Sequence, residues 1–240
     1  MMNTLSKEEN IQYSRQIKLA EIGLIGQQKI KDAKVLVVGA GGLGCPVLQY
    51  LNGAGVGTIG IIDFDKVEIH NLHRQILFDR ADVGKQKAIA AAEKLKKQNP
   101  ETQILTFNER LNKSNCSSIL QSFDIIVDGS DNFSTRYLIN DTCVALDKPL
   151  VYGSILGFEG QVAVFNLKGS KNLRDLFPEP PDPKDIPGCE DNGVLATLPA
   201  IIGSMMAHET LKIIIDHSPL QNTFIVFDTT ELRFSKISIQ

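Results

Sequence analysis

The segment KVLVVGAGGLG, residues 34–44, places a glycine-rich turn directly after a short apolar run. An apolar run bounded by glycine is typical of a buried parallel strand. Gly39, Gly41 and Gly44 satisfy the pattern G-x-G-x-x-G, and the residues from Gly42 to Ala54 have helical periodicity. Such glycines let the backbone approach a phosphate at a helix N-terminus, where N–H groups and the helix dipole favour anions. The turn therefore predicts an α/β fold that binds a nucleotide.

Strands and helices alternate along the chain as far as Gly157. Apolar runs predict strands at 58–63, 102–107, 124–131 and 149–155, with helical segments between them. Such alternation implies a parallel sheet wound by right-handed crossovers. We therefore expect a Rossmann-like, doubly wound, mostly parallel sheet.

Both ends of the chain depart from this alternation. Residues 6–32 are polar and helix-rich, with Ser6 and Glu9 in capping-box spacing, which predicts an N-terminal helical arm. Residues 159–167 alternate like a strand with one exposed face, and 222–239 predict a β-hairpin, so the sheet should end in antiparallel strands. We expect one domain over 1–240, with a long crossover loop at about 168–192.

Composition limits the classes of partner. The formal net charge of −3 gives no basic footprint, so we expect no nucleic acid. The N-terminus has no apolar signal-peptide region, and the apolar stretch from Val194 to Ala207 is interrupted by Pro199 and Gly203 and is too short to cross a bilayer. We expect a cytoplasmic protein with no membrane partner.

Polar residues follow the second and fourth predicted strands. Asp63 stands where a dinucleotide fold places its ribose-binding carboxylate, which suits NAD and ATP equally. The segment DFDKVEIHNLHRQ then delays the next helix, where an NAD enzyme would usually enter it directly. Asp128 and Asp131 lie in DGSDN, at the carboxyl end of the fourth strand, and ligands of open α/β sheets bind at that edge.

These separated motifs together resemble the sulfur-carrier-activating branch of the ubiquitin-activating enzyme superfamily, the ThiF/MoeB/HesA family. The resemblance covers nearly the whole chain, through YSRQI, GAGGLG, DFDKVEIHNLHRQ, DVGKQKA, DGSDNFSTR, the Cys189–Gly193–Val194 segment and IIGSMMAHETLK. It implies an adenylyltransferase that uses ATP to activate the C-terminal glycine carboxylate of a small ubiquitin-like carrier ending in Gly-Gly, with release of pyrophosphate. A thiocarboxylate would then form from the acyl adenylate, with a sulfur donor such as a cysteine desulfurase.

The resemblance also implies roles for individual residues. The phosphates would contact the turn, and Asp63 and Asp65 would lie at the nucleoside. The residues implied for the turn, the triphosphate and its support are Gly39, Gly41, Gly42, Gly44, Arg74, Lys87, Asn71 and Gln75. Asp131 would hold Mg²⁺, and Arg15 would reach into the site of a partner subunit, which implies a homodimer.

Adenylation suits these residue types on chemical grounds as well. A carboxylate attacks the α-phosphate in line, so the enzyme needs neither a nucleophile nor a general base. Two anions must approach each other while charge builds on pyrophosphate, so catalysis is positioning and charge neutralisation by Arg, Lys and a metal. Mg²⁺ prefers one or two carboxylates together with phosphate oxygens and water.

Plainer interpretations stay open for the same residues. Arg74 and Lys87 could be surface charges, and Asp131 could cap the helix that begins near Phe133. An NAD-dependent oxidoreductase would explain the glycines and Asp63, but not Arg74, Lys87 and Asp131 together. A catalytically inactive scaffold, or a relative that adenylates another carboxylate or a tRNA base, are further alternatives.

The four cysteines form no CxxC pair. Cys189 lies on the long loop in a setting that matches a family cysteine able to form a covalent link to the carrier, whereas Cys45 and Cys143 fit apolar helix faces. Many relatives bind zinc through two CxxC pairs, but Asn172 and Asp175 stand at the first pair, so no structural zinc is predicted. Cys189 favours a thiamine-pathway, ThiS-like carrier, and a molybdopterin-pathway, MoaD-like carrier is the alternative.

Overall fold

Eight strands form one sheet in a computed structural model, which describes residues 4–181 and 193–240. They are β1 (Lys34–Val38), β2 (Thr58–Ile62), β3 (Gln103–Phe107), β4 (Ile125–Asp128), β5 (Leu150–Leu156), β6 (Glu159–Phe165), β7 (Thr223–Asp228) and β8 (Arg233–Ser238). Their order is β3-β2-β1-β4-β5-β6-β7-β8. The first five pair in parallel and the last three are antiparallel, as the sequence predicted.

Helices cover both faces of this sheet. The described helices are α1 (Lys7–Gln12), α2 (Ser14–Ile17), α3 (Gly23–Asp32), α4 (Gly44–Ala54), α5 (Lys87–Gln98), α6 (Cys116–Leu120), α7 (Phe133–Ala145), α8 (Leu173–Leu176) and α9 (Thr197–Ile215). One core packs α4, α5 and α9 against the sheet, and the other packs α6 and α7 against the opposite face. The doubly wound fold is therefore confirmed.

The strand order reverses between β1 and β4. The chain runs outward from β1 through β2 to β3 and then returns to place β4 on the other side of β1. Residues Val35–Val38 are buried because helices cover both faces here, which explains the continuous apolar run. Ligands of open α/β sheets bind outside the carboxyl ends of the strands at such a reversal. The glycine turn begins at that point.

The N-terminal arm lies at the end of the sheet opposite the glycine turn. Ser6 and Glu9 form the predicted capping box at the start of α1. Buried Tyr13 accepts a hydrogen bond from Asn99 Nδ2 at 2.8 Å, just beyond the end of α5. Gln16 Nε2 donates to the carbonyl oxygen of Ala54, the last residue of α4, at 3.2 Å. These bonds fasten the arm to the carboxyl ends of two core helices.

Helix α9 is a core helix. Its 19 residues make it long enough, and apolar enough on average, to cross a membrane. It is therefore longer than the apolar stretch from Val194 to Ala207 that the sequence shows. It packs against α4, β5 and β6, and Leu198, Ile202 and Met206 are fully buried. These contacts account for its apolar composition.

Asp82 holds the segment between β2 and α5 in place. Its carboxylate accepts hydrogen bonds from the Asp79 amide at 3.1 Å and Lys85 Nζ at 3.1 Å, and Lys94 Nζ lies 2.9 Å away. Burial alone would raise the pKa of Asp82, but the bonds from Lys94, the Asp79 amide and Lys85 outweigh it and hold that pKa below 3.8. The carboxylate therefore stabilises the fold in its ionised form.

Asp82→Asn should lower the free energy of unfolding by about 2 kcal/mol at pH 7, because charged hydrogen bonds are lost at a buried site. Since the folded pKa lies below the ordinary value, the stabilisation is present above pH 3.8 and is lost as the pH falls through the folded pKa. Urea denaturation between pH 3 and pH 8 measures both effects. The control is Glu93→Gln, which removes an exposed partner of Lys85. Equal losses in the two variants would contradict the assignment.

Candidate functional site

The glycine turn touches the turn that follows β4. Gly39 has a φ of +89°, and a Cβ built on it would lie 2.8 Å from the carbonyl oxygen of Gly129. The Gly129 amide donates to the Val38 carbonyl at 2.8 Å. A Cβ on Gly44 would lie 1.9 Å from the Gly39 carbonyl oxygen. Only glycine allows these approaches, and they bring the DGSDN segment beside the turn.

Asp63 orders the turn from the end of β2. Its buried carboxylate accepts hydrogen bonds from the Ala40 amide at Oδ2 and from the Asp65 amide at Oδ1, both at 2.8 Å. Burial raises its pKa, and the charge of Lys87 and these two bonds oppose that rise. A carboxylate has about four acceptor positions, so two are left for hydroxyl donors such as those of a ribose.

Lys87 lies beside both carboxylates that follow β2. It is the first residue of α5, only 7% exposed, and its Nζ is 3.2 Å from Asp65 Oδ2. Its amide donates to the Asp65 carbonyl at 2.9 Å, which ties the start of α5 to the end of β2. The interpretation of Lys87 as an ordinary surface charge is therefore wrong. A lysine held here can neutralise phosphate charge.

Arg74 and Gln75 lie over the glycine turn. Arg74 Cγ is 3.8 Å from a Cβ built on Gly42, and Gln75 Nε2 is 3.7 Å from one built on Gly41. The Arg74 guanidinium donates to the His70 carbonyl at 3.1 Å. Within the described residues, buried Gln75 Oε1 has no hydrogen-bond partner. Both side chains are thus brought to the place where phosphates would lie.

Asn71 has a supporting role. It ends a 3₁₀ turn, and its side-chain oxygen accepts a hydrogen bond from the Glu68 amide at 3.1 Å. Its carbonyl accepts from the amides of Arg74 at 3.1 Å and Gln75 at 2.9 Å. Buried Asn71 therefore shapes the turn that carries the next two site residues.

Asp131 stands exposed at the end of the DGSD turn. The cap of α7 is Asn132, whose side chain accepts from the Thr135 amide at 2.9 Å, so the capping interpretation of Asp131 is wrong. The charge of Asp131 contributes to the raised pKa of Asp128, behind the larger effect of burial, which places the two carboxylates near each other. In the described part of the chain no group of three or more His, Cys, Asp or Glu could hold a metal. One carboxylate still fits Mg²⁺, because phosphate oxygens and water supply most of its ligands.

Arg15 lies away from this site in its own chain. Its neighbour Gln16 is bonded to Ala54, at the far end of α4 from Gly44. The 11 residues of α4 separate these two ends by about 15 Å at 1.5 Å per residue. Arg15 is therefore exposed at the end of α4 that lies away from its own glycine turn.

The cysteines that the structure describes are buried. Burial raises the pKa of Cys45 to about 12, and it raises that of Cys143 and of Cys116 as well. The packing roles predicted for Cys45 and Cys143 are confirmed. Cys189, the predicted reactive thiol, lies outside the described residues.

The first part of the crossover is helical rather than a plain loop. Asn172 and Asp175 form a capping box around α8. The family resemblance would place the first CxxC pair at these two positions. Arg174 Nε donates to Asp141 Oδ1 at 2.7 Å, and Tyr137 donates to the Phe177 carbonyl at 2.9 Å. These bonds fasten the crossover to α7. The absence of structural zinc stays a prediction.

Three residues near the site were not predicted from the sequence: Arg110, Phe64 and Arg136. The Arg110 guanidinium lies 3.9 Å from the ring centroid of half-exposed Phe64, which directly follows Asp63. The Asp63 amide donates to the Phe107 carbonyl at 3.2 Å, so the segment after β3 begins beside Asp63. Buried Arg136 lies in α7, and its guanidinium donates to the Ser130 carbonyl in the turn after β4. The adjacency of Phe64 to Asp63 was the available signal, whereas nothing in the sequence set Arg136 apart from other helix arginines.

The sequence profile of the ThiF family matches residues 13–240. The chain belongs to the ThiF family. The motif-based resemblance is therefore confirmed, and an ATP-using enzyme is what this family implies.

Curated relatives agree with this assignment. The sulfur carrier protein adenylyltransferase of Thermus thermophilus is 46% identical over 98% of the chain and 89% of its own length. The adenylyltransferase and sulfurtransferase MOCS3 of Aedes aegypti is 46% identical over the whole chain, and the probable adenylyltransferase/sulfurtransferase MoeZ of Mycobacterium tuberculosis is 44% identical over 99%. The chain spans only 55% and 62% of those two relatives. The names confirm the prediction of an adenylyltransferase.

Solved structures confirm the fold. PaaA superposes with a TM-score of 0.84 at 22% identity over all of this chain and 76% of its own. Escherichia coli MccB, solved with ATP, superposes with a TM-score of 0.84 at 22% identity over 98% of this chain and 73% of its own.

Two glycines of the turn should respond differently to alanine. Gly41→Ala should leave the melting temperature within about 2 °C, because its Cβ would meet only Gln75 Nε2 at an ordinary 3.7 Å, yet the methyl group would occupy the approach of a phosphate. We expect ATP affinity, measured by calorimetry, to fall at least about tenfold. Gly44→Ala should instead destabilise the fold by about 3 kcal/mol through its clash with the Gly39 carbonyl. Unchanged ATP binding in Gly41→Ala would contradict the phosphate position.

Proposed function

We propose that this chain uses ATP to adenylate the C-terminal glycine carboxylate of a small ubiquitin-like sulfur carrier protein. The observation that carries the proposal is the convergence of the glycine turn, Asp63, Lys87 and the Asp131 turn along one edge of the sheet, at the strand-order reversal. The name of the Thermus thermophilus relative supports the sulfur carrier as substrate.

The chain's own residues supply binding and charge neutralisation. The glycine turn and the first turn of α4 receive the phosphates, and Asp63 accepts the ribose hydroxyls. Lys87 and Arg74 offset the charge that builds on the leaving pyrophosphate as the carrier carboxylate attacks the α-phosphate. Mg²⁺, held by Asp131, would lower the repulsion between the two anions. No side chain has to form a covalent bond in this step.

The alternatives explain fewer of these features. Hydride transfer to or from a nicotinamide does not require a buried lysine beside Asp63 and Asp65. At that position Lys87 can neutralise the negative charge of a phosphate. An inactive scaffold would not need to keep Arg74, Lys87 and Asp131 at one site. Addition of Mg²⁺ and ATP should raise the melting temperature, whereas NAD should not, because a ligand stabilises only the fold that binds it.

We propose a ThiS-like carrier as the first substrate to test, with a MoaD-like carrier as the alternative. The basis is the setting of Cys189 in the sequence, and both carriers present the same glycine carboxylate to the site. A cysteine desulfurase would be a fitting sulfur donor, because its persulfide could attack the acyl adenylate and release AMP. A thiol would then cleave the resulting acyl disulfide by exchange, which leaves the thiocarboxylate and a new disulfide.

The decisive experiment is carrier-dependent exchange of radioactive pyrophosphate into ATP. The protein is assayed with a ThiS-like and with a MoaD-like carrier ending in Gly-Gly, each beside the same carrier with its final glycine deleted. Exchange that requires the terminal glycine of one carrier would establish the reaction and its substrate. Binding of ATP without exchange in either case would overturn the proposal.

We further propose that Arg15 acts across a homodimer. Arg15→Ala and Asp131→Ala should each abolish exchange, and a mixture should recover about a quarter of the wild-type rate, because half of the dimers are mixed and each mixed dimer has one complete site. Lys18→Ala, an exposed neighbour on the same arm, serves as the control. Co-purification of differently tagged subunits verifies that they exchange. No recovery in verified mixed dimers would contradict an arginine supplied in trans.

A further inference from the structure

We infer that Arg136 is the positioning residue of the turn Gly129–Asp131, and that it sets the orientation of the Asp131 carboxylate toward Mg²⁺ and nucleotide. The inference rests on the proposed function, because it concerns the metal carboxylate of that site. Arg136 lies one turn into α7 and is only 5% exposed.

The guanidinium bridges two backbone segments. Arg136 Nη2 donates to the Ser130 carbonyl at 2.8 Å, and Nη1 donates to the Gly153 carbonyl at 2.9 Å. The plane of the guanidinium is supported by the Tyr152 ring, whose centroid is 4.9 Å from Cζ. One side chain thereby couples the turn after β4 to the neighbouring strand β5.

The bond to Ser130 acts directly on Asp131. The Ser130 carbonyl belongs to the same planar peptide unit as the Asp131 amide, so fixing that oxygen fixes the plane from which the Asp131 Cα leaves. On the other side, Asn132 begins α7 with its side-chain cap. Asp131 therefore lies between two backbone segments that hydrogen bonds hold in place. This restricts the direction in which its exposed side chain leaves the backbone.

The negative charge of buried Asp128 explains why the residue that holds this turn is a buried cation. Asp128 is fully buried, its Oδ1 accepts from the Ser130 amide at 2.9 Å, and Oδ2 has no hydrogen-bond partner among the described residues. Burial raises the pKa of Asp128, and the positive charge of Arg136 is the largest influence that opposes the rise. Arg136 thus offsets the charge of Asp128 while Nη1 and Nη2 donate to the Gly153 and Ser130 carbonyls. The amide of Ser130 donates to Asp128, so both backbone groups of Ser130 are hydrogen-bonded.

A lysine at position 136 could not make the same set of contacts as Arg136. A guanidinium presents several donors in one rigid plane and stacks on an aromatic face, whereas an ammonium is a point charge on a flexible stem. Arg136→Lys keeps the positive charge near Asp128 but cannot reach both carbonyls with planar geometry. That substitution therefore separates charge from positioning.

The test compares Arg136→Lys with Arg80→Lys, a matched change at an exposed arginine outside the site. Calorimetry of ATP binding without carrier, with and without Mg²⁺, gives a measure that does not depend on turnover. We expect Arg136→Lys to weaken Mg²⁺-dependent ATP binding about tenfold, as for other residues that orient a metal ligand, and to leave metal-free binding within about twofold. Carrier KM in the exchange assay should not change.

A double-mutant cycle with Asp131→Asn shows whether Arg136 acts through Asp131. On that background Arg136→Lys should add less than about twofold to the loss of Mg²⁺-dependent binding. Equal losses with and without Mg²⁺, or additive losses in the cycle, would overturn the inference. If Arg136→Lys does not fold, Tyr152→Leu removes the supporting ring and should cause a smaller loss of the same Mg²⁺-dependent kind, and wild-type binding in that variant would overturn the inference.

The outcomes separate this inference from the proposed function. Wild-type protein that binds Mg²⁺ and ATP with the expected cycle, yet shows no carrier-dependent exchange, would support the role of Arg136 and overturn the carrier proposal. Exchange in the wild type together with wild-type behaviour of Arg136→Lys would overturn the role of Arg136 alone.

Discussion

The contact between the backbones of Gly39 and Gly129 is the constraint on which the rest of the site depends. The two turns leave neighbouring parallel strands, and the space between them admits no Cβ on Gly39. The Gly129 amide closes the contact by donating to the Val38 carbonyl. Because the turns touch, the position of the glycine turn fixes the position of the turn that carries Asp131.

Two buried carboxylates and their neighbouring cations also stabilise the backbone of the site. Asp63 follows β2 and Asp128 ends β4, the two strands that flank β1, and burial raises the pKa of both carboxyl groups. Asp63 accepts hydrogen bonds from two backbone amides and Asp128 from one. A nearby cation offsets each charge, Lys87 for Asp63 and Arg136 for Asp128. Buried charges persist where partners and hydrogen bonds compensate their desolvation. These two carboxylate–cation pairs stabilise the backbone of the site, whereas Arg74 and Asp131 lie closer to solvent.

Much of this could be predicted because the signals are local. The apolar run before Gly39, the alternation of strands and helices, and the spacing of DGSDN each follow from a few consecutive residues. The capping box of Ser6 and Glu9 is likewise a matter of three-residue spacing, and it is present. Even there the sequence left two interpretations of Asp131, and the bond from the Thr135 amide to Asn132 excludes the one in which Asp131 caps α7.

The sequence by itself determined the fold class, the nucleotide turn, the family and the set of charged residues, because periodicity, glycine placement and motif order are properties of short segments. Tertiary structure decided which of those residues meet. It placed Arg15 at the far end of α4, buried Lys87 beside two carboxylates, and made Arg136 bridge Ser130 and Gly153. Such contacts join segments far apart in the chain, and their distances depend on how the strands are ordered in the sheet.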